Sequence, residues 1–363
     1  MNLNQGTVIF KYLYNFNKRI LINNKNNETM NTTKKKIGIP YALYFYEYYP
    51  LWKDFLSNLG AEVVLSPPTN KRILDLGVRS ALSEVCLPVK IFYGHTLSLA
   101  DQVDYILIPR MVCIEKGAFF CPKMIGLPDM VKNSLPKLSS QLNPIIDVRK
   151  SYGTWKNSFM QVGKLITDNS IELSRAFSSS WENFQKNYVA NIIDPDLITN
   201  NINNNYKKIP KSDKEVPVNI AVLGHDYLIK DSYINMNLVG KLKKMNVNVL
   251  TPEMIHPNVI EKQLKKLYKP IFWSLSRKVV GAGLYYFEKN IDGIIHLTSF
   301  ECGEDSMVGE LIHHQSQKYP QVSYTEFVFD EHSGEAGINT RIEAFLDMIR
   351  RKKRYEISLT PSW

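Results

Sequence analysis

Apolar and polar positions alternate along the chain in blocks of two kinds. Short apolar runs of strand type are separated by longer stretches with apolar residues at helical spacing. Fold-like sequence starts at Lys36-Ile37-Gly38-Ile39-Pro40, whose apolar run predicts a short strand. Tyr44 to Leu59 carries Leu51, Trp52, Phe55 and Leu59 on one helical face and stops at Gly60. Ala61 to Leu65 reads as a second strand, ended by Ser66-Pro67-Pro68, and Lys71 to Leu82 as a second helix. Val103 to Ile108 and Pro144 to Val148 supply a third and a fourth strand. Trp155 to Asn191 is helical in pattern and Asp194 to Lys214, rich in Asn and Lys, reads as a linker. The alternation then resumes. Strands are expected at Val218–Gly224, Val247–Leu250, Gly293–Ser299 and Val322–Phe329, and helices at Asn235–Met245, Ile271–Lys289 and Ile338–Lys353.

Strands alternating with helices imply βαβ units and parallel sheets. The division expected is an extension over 1–33, an α/β domain over 34–150, a helical segment over 151–193, a linker over 194–215 and a second α/β domain over 216–356. Residues before Met30 offer no period that would bury a face, so Met30 is the expected true start and the preceding residues a disordered tail.

Composition narrows the class. With 44% hydrophobic and 22% charged residues the chain reads as a soluble globular protein, and no apolar run approaches a membrane span. The net charge of +10 is concentrated at the start: the first 36 residues hold a surplus of six positive charges, leaving +4 for the rest. No basic stripe remains to argue for nucleic acid. Four cysteines and the lack of a secretory signal point to a cytoplasmic protein with reduced thiols, used for metal or catalysis rather than cross-links.

Three of those thiols stand out. Cys86 lies in Glu84-Val85-Cys86-Leu87-Pro88-Val89-Lys90, Cys121 in Cys121-Pro122-Lys123, and Cys302 in Phe300-Glu301-Cys302-Gly303-Glu304-Asp305. Their separations, 35 and 181 residues, match no local zinc or ferredoxin motif. Ligation of one iron–sulfur cluster and simple burial as inert cysteines both remain open on pattern alone. In both halves, however, a strand–helix–strand opening leads to a cysteine beyond a strand end or at a helix start. Ligands of open α/β sheets bind at that edge. Two such domains face to face would bring Cys302 opposite Cys86 and Cys121. Cys113 reads as a small buried residue or a fourth ligand, and His225 stands at a strand end with structural and functional readings equally open. His313-His314 read as surface, and Gly281-Ala282-Gly283 as helix packing rather than a phosphate cradle.

The stretches Ile37-Gly38-Ile39-Pro40, Tyr44 to Trp52, Leu65-Ser66-Pro67-Pro68-Thr69-Asn70, Glu84 to Lys90, Gly94-His95, Cys121-Pro122-Lys123 and Gly126-Leu127-Pro128-Asp129 together resemble one family, the acyl-CoA dehydratase activase-related proteins, relatives of the 2-hydroxyacyl-CoA dehydratase subunits. Asp330 to Gly334 and Thr340 to Phe345 resemble the end of that superfamily. The resemblance implies two Rossmann-like domains with a [4Fe–4S] cluster in the cleft, held by Cys86, Cys121 and Cys302, with Lys90 and Lys123 offsetting its charge. It implies a separate ATP-dependent activator of the actin-like kinase fold as electron donor, and an acyl-CoA as acceptor. Three thiolates on four irons would leave one exchangeable position. On position alone, His95 reads as a core or capping residue, or as a partner of a cluster sulfur or a proton donor; Glu301 reads as a carboxylate at a helix start or a proton donor; and His332 stands just past a strand end, where ligands bind, with Thr340 and Arg341 opening the last helix toward a carboxylate or phosphate. A homo- or heterodimer fits the same picture. An electron-relay or cluster-assembly partner, and a zinc-stabilised scaffold, are the competing classes.

Overall fold

A computed structural model describes residues 34–359 apart from 116, 137, 150–153, 191–216 and 290. The expected disordered start and the linker at 194–215 lie outside the described residues. Two four-stranded parallel sheets organise the chain. The first has the order β2-β1-β3-β5, from β1 (Lys36–Ile39), β2 (Glu62–Leu65), β3 (Tyr105–Leu107) and β5 (Ser140–Leu142). The second has the order β10-β9-β7-β8, from β7 (Val218–Leu223), β8 (Val247–Leu250), β9 (Gly293–Ser299) and β10 (Ser323–Phe329). β7 and β9 are buried along their whole length, as central parallel strands covered on both faces must be.

The fourth strand of the first sheet differs from the expectation. Ile145–Asp147 (β6) pairs with β4 (Arg110–Cys113) in a separate two-stranded ribbon, and the polar segment Ser140–Leu142 takes the place beside β3. An edge strand needs little apolar side chain, so hydropathy does not betray it.

The helices α1 (Phe45–Asn58), α2 (Lys71–Ser80) and α3 (Leu87–Leu99) follow in the first half. The short α4 (Pro122–Ile125) and α5 (Leu127–Ser134) come next, then α6 (Thr154–Gly163) and α7 (Ser170–Ala190), which lie against β6 and α1, with Trp52 stacked on Phe159 at 3.7 Å. The second half carries α8 (Asp226–Lys230), α9 (Leu238–Lys244), α10 (Pro257–Leu264), α11 (Ser274–Phe287), α12 (Gly303–Ser316) and the terminal α13 (Glu335–Leu359). The Gly281-Ala282-Gly283 run sits in α11, where a Cβ on Gly281 would come 2.6 Å from Ile260 of α10, so it is a packing feature.

α3 did not show in the periodicity because it is apolar on almost every side. Residues 87 to 96 are all buried, which is how a helix without a polar face must sit. Two glycines let it approach α2 backbone to backbone. A Cβ on Gly77 would lie 1.9 Å from the Lys90 carbonyl oxygen, and one on Gly94 would lie 1.9 Å from that of Ile73.

The two halves are joined by direct contacts. The Phe119 N–H donates to Phe272 O at 2.7 Å and the Ser274 N–H to Phe119 O at 2.8 Å. The Tyr46 and Thr69 hydroxyls both donate to Asp231 Oδ2, at 3.1 and 2.5 Å. Arg277 Nε meets Glu115 at 3.1 Å. One apolar core runs through residues of both sheets.

Since backbone rather than a flexible side chain opposes each missing Cβ, Gly94→Ala is expected to force α2 and α3 apart. The cost is about 3 kcal/mol or more, measurable as a lowered urea midpoint. A midpoint within error of the parent protein would show that the helices shift without cost.

Candidate metal and thiol site

Each of the three cysteines stands immediately before a helix. Cys86 precedes α3, Cys121 precedes α4 and Cys302 precedes α12. The prolines beside the first two lie in the first turn, Pro88 second in α3 and Pro122 first in α4. A proline there forfeits no helical hydrogen bond and presets the turn. Cys86, Cys121 and Cys302 all take the extended backbone of an N-cap residue. The Met124 N–H donates to Cys121 Sγ at 3.4 Å. Helix N-termini favour negative charge, which suits thiolates.

The thiols meet. Cys86 and Cys302 lie near enough to shift one another's proton affinity, and Cys121 is close enough to both to feel their charge. The neighbouring Cys302 thiol lowers the Cys86 thiol despite its burial, and the Lys123 ammonium helps. The Cys86 thiol and burial push Cys302 far up. Burial pushes Cys121 up to about 12.

Two lysines frame the site. The Lys90 Nζ, buried in α3, donates to Glu331 Oε1 at 2.7 Å and lies 3.8 Å from Glu301 Oε2. The Lys123 Nζ donates to the carbonyls of Glu84 at 2.9 Å and Glu301 at 3.2 Å. Both therefore span from the first half to the loop carrying Cys302. That loop is strained: Glu301 has φ +62°, a left-handed conformation that a side chain disfavours.

His225 closes β7 and caps α8. Its Nε2 lies 2.9 Å from Asp305 Oδ1, with both side chains buried, and Asp305 Oδ2 accepts the Ser299 N–H at 2.9 Å. Burial disfavours the charged ring, yet the Asp305 carboxylate raises its pKa well above the ordinary value. The donor atoms of His225, Cys302 and Asp305 lie within 4.8 Å of one another. The buried Tyr227 phenol is raised well above its usual range by burial, and by Cys302, Asp305, Cys86 and Cys121 together. Nothing in the sequence singled out Tyr227. Its position two residues past His225, in the turn after a strand end, was the available signal.

Other expected residues lie elsewhere. His95 is nine residues along α3 from Cys86, about 13 Å at helical rise. It is fully buried, with Ser66 Oγ 2.8 Å from Nδ1 and Thr69 Oγ1 2.9 Å from Nε2. His332 is exposed, and its backbone N–H donates to Asp330 Oδ1 at 2.9 Å. The turn closed by Asp330 and Ser333 sends Glu331, not His332, inward to Lys90. Thr340 is inside α13 and donates to Ala336 O, while Arg341 donates to Glu326 O and covers the Phe327 ring at 4.3 Å. Cys113 is fully buried in β4, donates to Glu115 O at 2.9 Å, and has its pKa raised by burial and by Asp147. His313 and His314 are exposed on α12.

The donor set fits an iron–sulfur cluster in its chemistry. Three thiols from three helix starts meet beside Lys90 and Lys123. Cys113 is committed to a different ribbon.

Fold and site together define an α/β protein of two parallel sheets with a convergent thiol site between them. The chain belongs to the CoA enzyme activase uncharacterised domain family, whose pattern matches residues 36–255. Cys86, Cys121 and His225 fall inside that span and Cys302 beyond it. No curated protein matches the chain. Among the described residues no helix is long and apolar enough to cross a membrane.

His95 yields a prediction about acid. Burial pushes its pKa down to about 3, so between roughly 6.5 and 3 the unfolded chain binds a proton that the folded one refuses. Its contribution to stability is therefore lost as pH falls through that window. Asp231, raised by burial, acts with the opposite sign. In urea titrations from pH 7 to 4, His95→Gln is expected to flatten the loss of stability by up to about 1.4 kcal/mol per pH unit. An unchanged slope would mean that the ring is protonated in place.

Proposed function

We propose that this protein is the cluster-bearing redox component of a CoA-enzyme activation system. Cys86, Cys121 and Cys302 hold an iron–sulfur cluster of the [4Fe–4S] type. The reading is supported above all by the meeting of these three thiols, drawn from both sheets, each ahead of a helix. Such a cluster, when bound, would supply one-electron chemistry at low potential. The electron would come from a separate ATP-dependent activator, and the acceptor would be an acyl-CoA or a partner dehydratase that uses one.

The chain's own residues do the rest. The helix N-termini and the Lys90 and Lys123 ammonium groups offset negative charge at the thiolates, and charge near a cluster is one of the levers on its potential. Lys90 is tied to Glu331 and Glu301, so its position is fixed. Glu304, raised by burial and bonded to Ser276, keeps a proton beside the thiols more readily than an ordinary carboxylate. Tyr227, buried nearby, keeps its proton more strongly still.

A second reading is a structural zinc site. The closeness of the Cys302 thiol to His225 and Asp305 favours it, since such mixed donors suit one small ion. Anaerobic purification with iron, sulfide and zinc analysis separates the two. Cys86→Ser, Cys121→Ser and Cys302→Ser are each expected to lose most of the bound iron, while Cys113→Ser keeps it. A colourless protein with one zinc per chain would overturn the cluster reading. Iron loss in Cys113→Ser equal to that in Cys86→Ser would show the site to be drawn wrongly.

A further inference from the structure

We infer that His225 is the fourth ligand of the metal centre, its unpaired Nδ1 joining the thiolates of Cys86, Cys121 and Cys302 when the metal is bound; the inference rests on the cluster reading above. Three thiolates leave one iron of a four-iron cluster in need of a donor. Cys113 cannot supply it, being fully buried in β4 and bonded to Glu115 O.

The backbone delivers His225 to the place required. Gly224 has φ +149°, and a Cβ there would meet Leu297 O at 2.9 Å. Only glycine fits so close to β9, and the next residue is thrown past the carboxyl end of β7 toward the thiols. The ring is then locked. Its Nε2–H donates to Asp305, and Asp305 is itself held by the Ser299 N–H. The other nitrogen, Nδ1, is fully buried and has no hydrogen-bond partner among the described residues. A buried polar atom left unpaired is costly. An imidazole with one nitrogen on a carboxylate is the arrangement that metal-binding histidines adopt, because the carboxylate fixes the ring orientation; the Nδ1 proton that Asp305 favours in the metal-free ring leaves when the metal binds. One nitrogen of the ring, the Cys302 thiol and an Asp305 carboxylate oxygen lie within 4.8 Å of one another.

The other buried histidines do not share these features. His95 has both nitrogens engaged by Ser66 and Thr69. His296 also carries an unpaired nitrogen, but its Nδ1 pairs with the Tyr324 hydroxyl at 3.3 Å, and no thiol lies beside it among the described contacts. A neutral imidazole in place of a fourth thiolate would leave the cluster one negative charge poorer, and histidine ligation in place of cysteine raises cluster potentials.

The test uses the full chain, reconstituted anaerobically with iron-57 and sulfide, with and without nitrogen-15 histidine. Pulsed EPR of the europium-reduced cluster is expected to show a strongly coupled nitrogen that changes with the label. It should vanish in His225→Gln and persist in His314→Gln. Mössbauer spectra of the unreduced cluster should show one iron distinct from the other three, altered in His225→Gln. An iron-loaded parent protein with no histidine coupling and a Mössbauer spectrum unchanged in His225→Gln would overturn the ligand assignment and leave the three-thiolate cluster standing. A parent protein that takes up no iron, although folded, would overturn the cluster reading and this assignment with it.

Discussion

The buried ammonium of Lys90 holds the site in register. It leaves α3 four residues after Cys86 and is held by Glu331 at 2.7 Å and Glu301 at 3.8 Å, both from the other half of the chain. A lysine this buried is tolerable only when paired, and removing either partner of such a pair leaves an uncompensated charge. The half of the molecule carrying Cys302 must therefore dock where the two carboxylates can reach Lys90. Lys123 repeats the constraint with the Glu84 and Glu301 carbonyls. The meeting of Cys302 with Cys86 follows from where these charges have to go.

The strain at Glu301 belongs to the same constraint. Its left-handed backbone turns the loop after β9 so that the carbonyl faces Lys123, the carboxylate faces Lys90, and Cys302 starts α12 facing the other thiols. A relaxed loop would give up one of these three. Backbone strain of this kind costs on the order of 1–3 kcal/mol and persists only where the surroundings over-determine it. Two lysines and a packed strand provide that here.

A second polar chain lies away from the thiols. Ser66, His95, Thr69, Asp231 and Tyr46 form a buried run from the first sheet's loops to the second half. Its members satisfy one another, as buried polar groups must to be tolerated. Gly94-His95 thus serves docking: the glycine admits α2 to within backbone contact and the histidine anchors the loop after β2.

The order of strands and helices was legible in the chain, because an apolar run of four to seven residues between turn residues has few other uses. β1, β2, β7, β8, β9 and β10 fell within a residue or two of their expected places. α3 and β5 did not, for opposite reasons: α3 is apolar on every face and has no period, and β5 is too polar to stand out. The three cysteines were visible as candidates because each neighbours a proline, a lysine or a carboxylate. Which acid and which histidine join them was not visible. Glu331 and His332 are adjacent in sequence and part at a turn, and His95 and His225 each follow a glycine yet lie in different networks. Residue type and spacing state what a side chain can do. Whether His225 finds Asp305 and Cys302, 80 and 77 positions away, is decided by the docking of β7 against β9, a long-range contact that local pattern does not encode.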